Sequence, residues 1–87
     1  MQVSKIKKNK EFCKSLGIAV NELKGDKKKS ILAYESDLPR SVVYSILDGR
    51  KDPQLTTFCR LAGGLDMKPS ELMKVIEEKI DWENFLD

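Results

Sequence analysis

Three prolines, Pro39, Pro53 and Pro69, each stand just ahead of a stretch in which apolar residues recur at three- and four-residue steps. Proline has a backbone angle preset for the first turn of a helix and forces the residue before it into an extended conformation, so each one predicts a helix start. Gly25, Gly49 and the pair Gly63–Gly64 close the intervening patterns, and glycine is the usual residue just past a helix end. No stretch shows strand-like alternation, and Asp48-Gly49 follows a helical pattern rather than joining two extended runs. The fold class that follows is all-α, with five short helices.

The first helix, about Lys10 to Lys24, places Phe12, Leu16, Ala19, Val20 and Leu23 on one face. Asp26 can cap a second helix that carries Ile31, Leu32 and Ala33 and ends at Ser36 and Asp37. A third, spanning 39–48, turns Val43, Ile46 and Leu47 inward and ends at Gly49 in a left-handed cap. Asp52-Pro53 opens a fourth with Leu55, Phe58, Leu61 and Ala62, stopped by Gly63–Gly64, and Pro69 opens a fifth with Leu72, Met73, Ile76 and Ile80. The resulting division is a basic arm over 1–9, a helical domain over 10–80, and an acidic, apolar tail over 81–87 carrying Trp82, Phe85 and Leu86.

A chain of 87 residues makes one small domain. Because aromatics are only 7% of it, the core must be built mainly from Leu, Ile and Val. No apolar run approaches the roughly 20 residues that span a bilayer, and the first residues lack the apolar stretch of a signal peptide, so a cytoplasmic location is expected. Cys13 and Cys59 fit no ligand spacing. They are expected as buried thiols, with no disulfide, metal or other cofactor.

Charge is distributed unevenly along the chain. Residues 1–30 hold nine Lys against Glu11, Glu22 and Asp26, a net +6, whereas residues 69–87 hold Lys74 and Lys79 against six acids, a net −4. A polyanionic partner would therefore meet the N-terminal half. Lys5, Lys7, Lys8 and Lys10 suit an arm that follows a nucleic-acid backbone, but terminal lysines also form solvated tails, and the tail is the reading adopted.

The informative segment is Ile31 to Pro53, two helices joined by a turn of about three residues. In a helix-turn-helix the second helix packs its inner face on the first and leaves the outer face free to enter a DNA major groove. With Val43, Ile46 and Leu47 inward, the residues Arg40, Ser41, Tyr44, Ser45 and Asp48 lie outward, and all five can hydrogen-bond. At these positions the chain resembles the phage Cro and lambda-repressor type of helix-turn-helix, also called the xenobiotic-response-element family. Leu32-Ala33 match its Leu-Ala pair, Leu38 the aliphatic residue after the turn, Val43 and Ile46 the buried positions of the recognition helix, and Gly49 the terminating glycine. Arg50, Lys51 and Pro53 continue the match through the basic loop, and the resemblance covers about Phe12 to Leu72. The chain departs from the family at Asp37, where a turn glycine is common, at Lys29, often Gln, at Pro39, often Ser or Thr, and at Leu47, often Glu. The link between helices one and two is also about two residues shorter than the family's.

The resemblance implies a compact five-helix domain that acts as a sequence-specific DNA-binding transcriptional regulator, a repressor, with no cofactor. Arg40, Ser41, Tyr44 and Ser45 would approach base edges, while Lys29, Arg50 and Lys51 would hold phosphates. It further implies a twofold dimer, for which Ile76, Ile80, Trp82, Phe85 and Leu86 are the candidate interface. Each role has a plainer alternative. Tyr44 can fold back onto helix two, Ser41 can cap helix three, Arg50 and Lys51 can simply answer a helix dipole, and the Trp82 cluster can pack within its own chain. An antitoxin, or another protein-binding module on the same fold, is the alternative function. The chain has no His, and no Cys or Ser has an evident base partner in sequence, so an enzyme is not expected.

Overall fold

The inward residues of all five expected helices meet in one core. The computed structural model describes the backbone of residues 2–86 and the side chains of residues 8–83 and 85. The helices are α1 (Gln2–Lys24), α2 (Lys29–Ser36), α3 (Arg40–Leu47), α4 (Leu55–Gly64), α5 (Pro69–Glu77) and a five-residue α6 (Trp82–Leu86). No strand occurs among the described residues. The largest fully buried side chains, among them Leu16, Leu32, Ile46, Leu61, Leu72 and Ile76, are all aliphatic and come from each of α1 to α5. Each such side chain contributes about 1.5–3 kcal/mol when removed from water. α2 lies against both α3 and α4, α1 packs on α3 and α5, and α5 packs on α4.

Two glycines set the closest approaches. A Cβ on Gly17 would stand 2.8 Å from the carbonyl oxygen of Ile46 and 3.1 Å from that of Leu47, so α1 rests directly on the last turn of α3. Asn21, one turn further along α1, donates to the Gly17 carbonyl at 2.9 Å and to the Leu47 carbonyl at 3.0 Å, which supplies a partner for an otherwise orphaned helix-end oxygen. Gly64 plays the matching part between α4 and α2, because a Cβ there would fall 1.9 Å from Ser36 Oγ. Lys27 adds a polar tie, donating to Glu35 and, at 3.1 Å, to the Gly64 carbonyl.

The turn from α2 to α3 is fixed by its ends. Asp37 adopts the left-handed conformation (φ 56°, ψ 46°), which Asp tolerates better than most residues. The Asp37 N–H donates to the Tyr34 carbonyl and the Leu38 N–H to the Ala33 carbonyl, closing a Schellman motif. Gly49 does the same for α3 at φ 74°, with Gly49 donating to Ile46 and Arg50 to Ser45. Pro39 is the N-cap of α3 rather than its first helical residue, and no side chain caps this end.

Elsewhere the structure departs from the sequence reading. α1 begins at Gln2, not near Lys10, so the basic segment is helical; it contains no Gly or Pro, and lysine is a good helix former even where no apolar stripe marks the helix. Lys28, not Asp26, precedes α2. Gly63 and Gly64 lie inside the last turn of α4, and the left-handed residue after it is Asp66 (φ 59°). Leu23, placed on the apolar face of the first helix, is 37% exposed, and Leu55, grouped with Phe58, Leu61 and Ala62, is 76% exposed. Cys13 is buried as expected but Cys59 is exposed; both are free. Burial and the neighbouring Asp52 carboxylate push the Cys13 thiol above its ordinary pKa.

Candidate nucleic-acid interface

α3 is eight residues long, and its hydrogen-bonding residues fall on the side its aliphatic residues leave free. Val43, Ile46 and Leu47 are buried; Arg40 and Ser41 are exposed, Tyr44 is 38% exposed, and Ser45 is half-buried. These four base-contact candidates therefore share one continuous stripe on the outer side of the helix. Ser41 does not cap α3, since it follows the Pro39 N-cap and no side-chain cap bond forms. Tyr44 takes an intermediate course: its ring lies beneath the Lys29 ammonium, 5.8 Å from the ring centroid, yet keeps a substantial exposed edge. A cation over an aromatic face is attracted by about 0.5–1 kcal/mol at an exposed site, enough to favour this rotamer without locking it.

The phosphate-contact candidates flank the stripe. Lys29 is the first residue of α2, and its N-terminal turn also lacks a side-chain cap, so its free amides and the Lys29 ammonium add positive potential at the same end. Arg50 and Lys51 are exposed in the loop after α3. Arg50 pairs with Asp48 at 3.0 Å, with both side chains at least half exposed. An exposed pair of this kind is worth about 0–1 kcal/mol, so a phosphate can displace the carboxylate at small cost.

The sequence reading missed a cleft of about 680 Å³ whose lining includes Lys10, Cys13 and Lys14 of α1 together with Arg50 and Asp52 of the loop after α3. The signal was present, since Lys10 and Lys14 are four residues apart and share a helix face, but it is legible only once α1 is known to continue through this region. Tyr34, 84% exposed on the outer face of α2, was also unassigned.

The candidate dimer residues are placed differently. Ile76 is fully buried within the monomer and has no surface to offer a partner, and Ile80 packs against the core. Phe85 lies 5.1 Å from Trp82 and 6.4 Å from Phe12 between ring centroids, so α6 folds back on α1, and Trp82 donates its indole N–H to the Glu77 carbonyl at 3.0 Å. The side chain of Leu86, like those of Lys5 and Lys7, lies outside the described residues. No helix among the described residues is long and apolar enough to cross a membrane, and no group of three or more Cys, Asp or Glu side chains among them is placed to hold a metal. Comparison of the chain with protein-family models, curated proteins and solved structures finds no match.

Proposed function

We propose that α2 and α3 form a helix-turn-helix of the Cro and lambda-repressor type and that the protein is a sequence-specific DNA-binding transcriptional regulator, a repressor. The observation that carries this reading is the division of α3: three buried aliphatic residues on one side, and Arg40, Ser41, Tyr44 and Ser45 reachable from solvent on the other. Arg40, in the first turn and exposed, can donate two parallel hydrogen bonds to guanine, which makes it the leading specificity residue. Lys29, Arg50 and Lys51 neutralise phosphates and set the position of the helix without reading sequence. The regulator acts as a twofold dimer in this reading, with its two recognition helices about 34 Å apart.

The test separates specificity from affinity. Arg40→Ala is expected to weaken binding to a selected duplex by roughly 1–3 kcal/mol and to relax preference at one base pair, whereas Lys51→Ala weakens every sequence alike and flattens the salt slope by about 1. Equal losses for both variants on every sequence would refute the assignment. A protein-binding role, such as an antitoxin, is favoured by a different observation: Leu55 is 76% exposed beside a small apolar groove formed with Phe12, Pro53 and Met73. Affinity that barely responds to salt would support that second reading over the first.

A further inference from the structure

We infer that the cleft between α1 and the α3–α4 loop is a phosphate-binding track, in which Lys10 and Lys14 extend the grip of Arg50 along the backbone of a DNA duplex. The inference rests on the DNA-binding reading above and adds a second element, α1, to the surface that meets the nucleic acid.

Placement is the first support. Lys10 and Lys14 lie one turn apart on α1, about 6 Å along its axis, and both line the same cleft as Arg50. The helix that carries them is packed closely on α3. A Cβ on Gly49 would lie 3.3 Å from the Lys14 Cα, and Gly17 one turn later rests on the Ile46 and Leu47 carbonyls, so α1 is fixed against the end of α3. The backbone from which the two lysines project thus keeps a set position relative to the helix that would read bases, while their flexible stems let the ammonium groups reach successive phosphates.

Charge is the second support. The cleft holds three cations, Lys10, Lys14 and Arg50, against Asp48 and Asp52. Asp48 and Arg50 pair with each other, so the uncompensated charge comes from Lys10 and Lys14 against Asp52, and exposed Lys51, next to Asp52 in sequence, adds a further cation. Lys10 and Lys14 are themselves exposed. Exposed, hydrated lysines hold a small free anion poorly. A polyanion is different, because each phosphate neutralised releases condensed counterions, and that gain accumulates along the strand.

The experiment compares the full-length protein with Lys10→Ala/Lys14→Ala by fluorescence anisotropy, using a selected duplex and a scrambled one across a range of salt. The expected result is weaker binding to both duplexes by the same factor and a salt slope flattened by about 1.8, or 0.9 for each phosphate no longer neutralised. Asp52→Asn should shift both affinities the other way. An unchanged slope in the double variant, while the parent protein keeps its own steep slope, would overturn the track and leave the DNA reading standing. A parent protein with no salt-dependent duplex binding would overturn both. Saturable displacement of the duplex by inorganic phosphate, beyond the effect of equal ionic strength from chloride, would mark a small-anion pocket and likewise overturn the track.

Discussion

At α3, the aliphatic residues are buried and Arg40, Ser41 and part of Tyr44 stay in contact with water; at the α5–α6 end, the large apolar groups of Ile76, Ile80, Trp82 and Phe85 turn back onto their own chain. Both regions begin from amphipathic sequence, yet they differ in what remains on the outside. Around α3 the outward groups are donors and acceptors that lose little in water and gain a partner on binding. At the α5–α6 end an aromatic cluster satisfies itself by reaching Phe12, so an apolar run in a charged tail is not by itself a partner surface. The side of α3 facing away from the core is therefore the better candidate for intermolecular work.

The contrast can be broken most forcefully at Ile46. Ile46→Ala removes a fully buried side chain on the inner face of α3 and should cost about 2–5 kcal/mol in urea unfolding; a loss below about 1 kcal/mol would show that this inner face does not hold α3 in place. Next comes Gly64→Ala, which drives a methyl into Ser36 Oγ and comes within 3.0 Å of the Ser36 backbone nitrogen. It should lower unfolding stability by about 1–3 kcal/mol, and an unchanged urea midpoint would mean that α2 and α4 separate freely.

Phe85→Ala sharpens the other side of the comparison. Removing its packing on Trp82 and Phe12 should destabilise the fold by about 0.5–1.5 kcal/mol per aromatic pair, with no change in sedimentation behaviour or duplex affinity. Dissociation of a dimer without any loss of thermal stability would instead assign Phe85 to an interface between chains. The smallest effect belongs to the turn. Asp37→Gly relieves a left-handed aspartate and should raise stability by about 0.5 kcal/mol, whereas a β-branched residue such as Val at the same position should lower it. Thermal melts of the two variants would reverse that order only if the turn adopted another geometry.

Much of the middle of the molecule could be read from residue spacing alone. Val43, Ile46 and Leu47 fall at steps that only a helix brings together, and Gly49 stands where a left-handed cap is required, so the inner face of α3 and its end were both legible. The chemistry of Asp37, which tolerates positive φ, made the turn readable without a glycine at that position. The ends of the chain were less legible because periodicity reports burial, not helicity. The lysine-rich start of α1 has no apolar stripe, so its helix was invisible to the pattern. Gly63–Gly64 misled for a related reason: a glycine demanded by close packing is spelled the same way as one that ends a helix. The placing of Phe85, and through it of Trp82, depended on packing against Phe12, far away in the chain, which no local pattern encodes. At the candidate site, the outward stripe was visible, while the cleft with Lys10 and Lys14 required knowing how α1 lies on α3.

The seat of Gly17 on the final carbonyls of α3 has a mechanical consequence. With no side chain between them to act as a cushion, the long rod and the short one must move as a pair. A probe attached to the solvent side of α1 would therefore serve as a compass needle for α3, reporting any rotation of that helix as a tilt of the longer one.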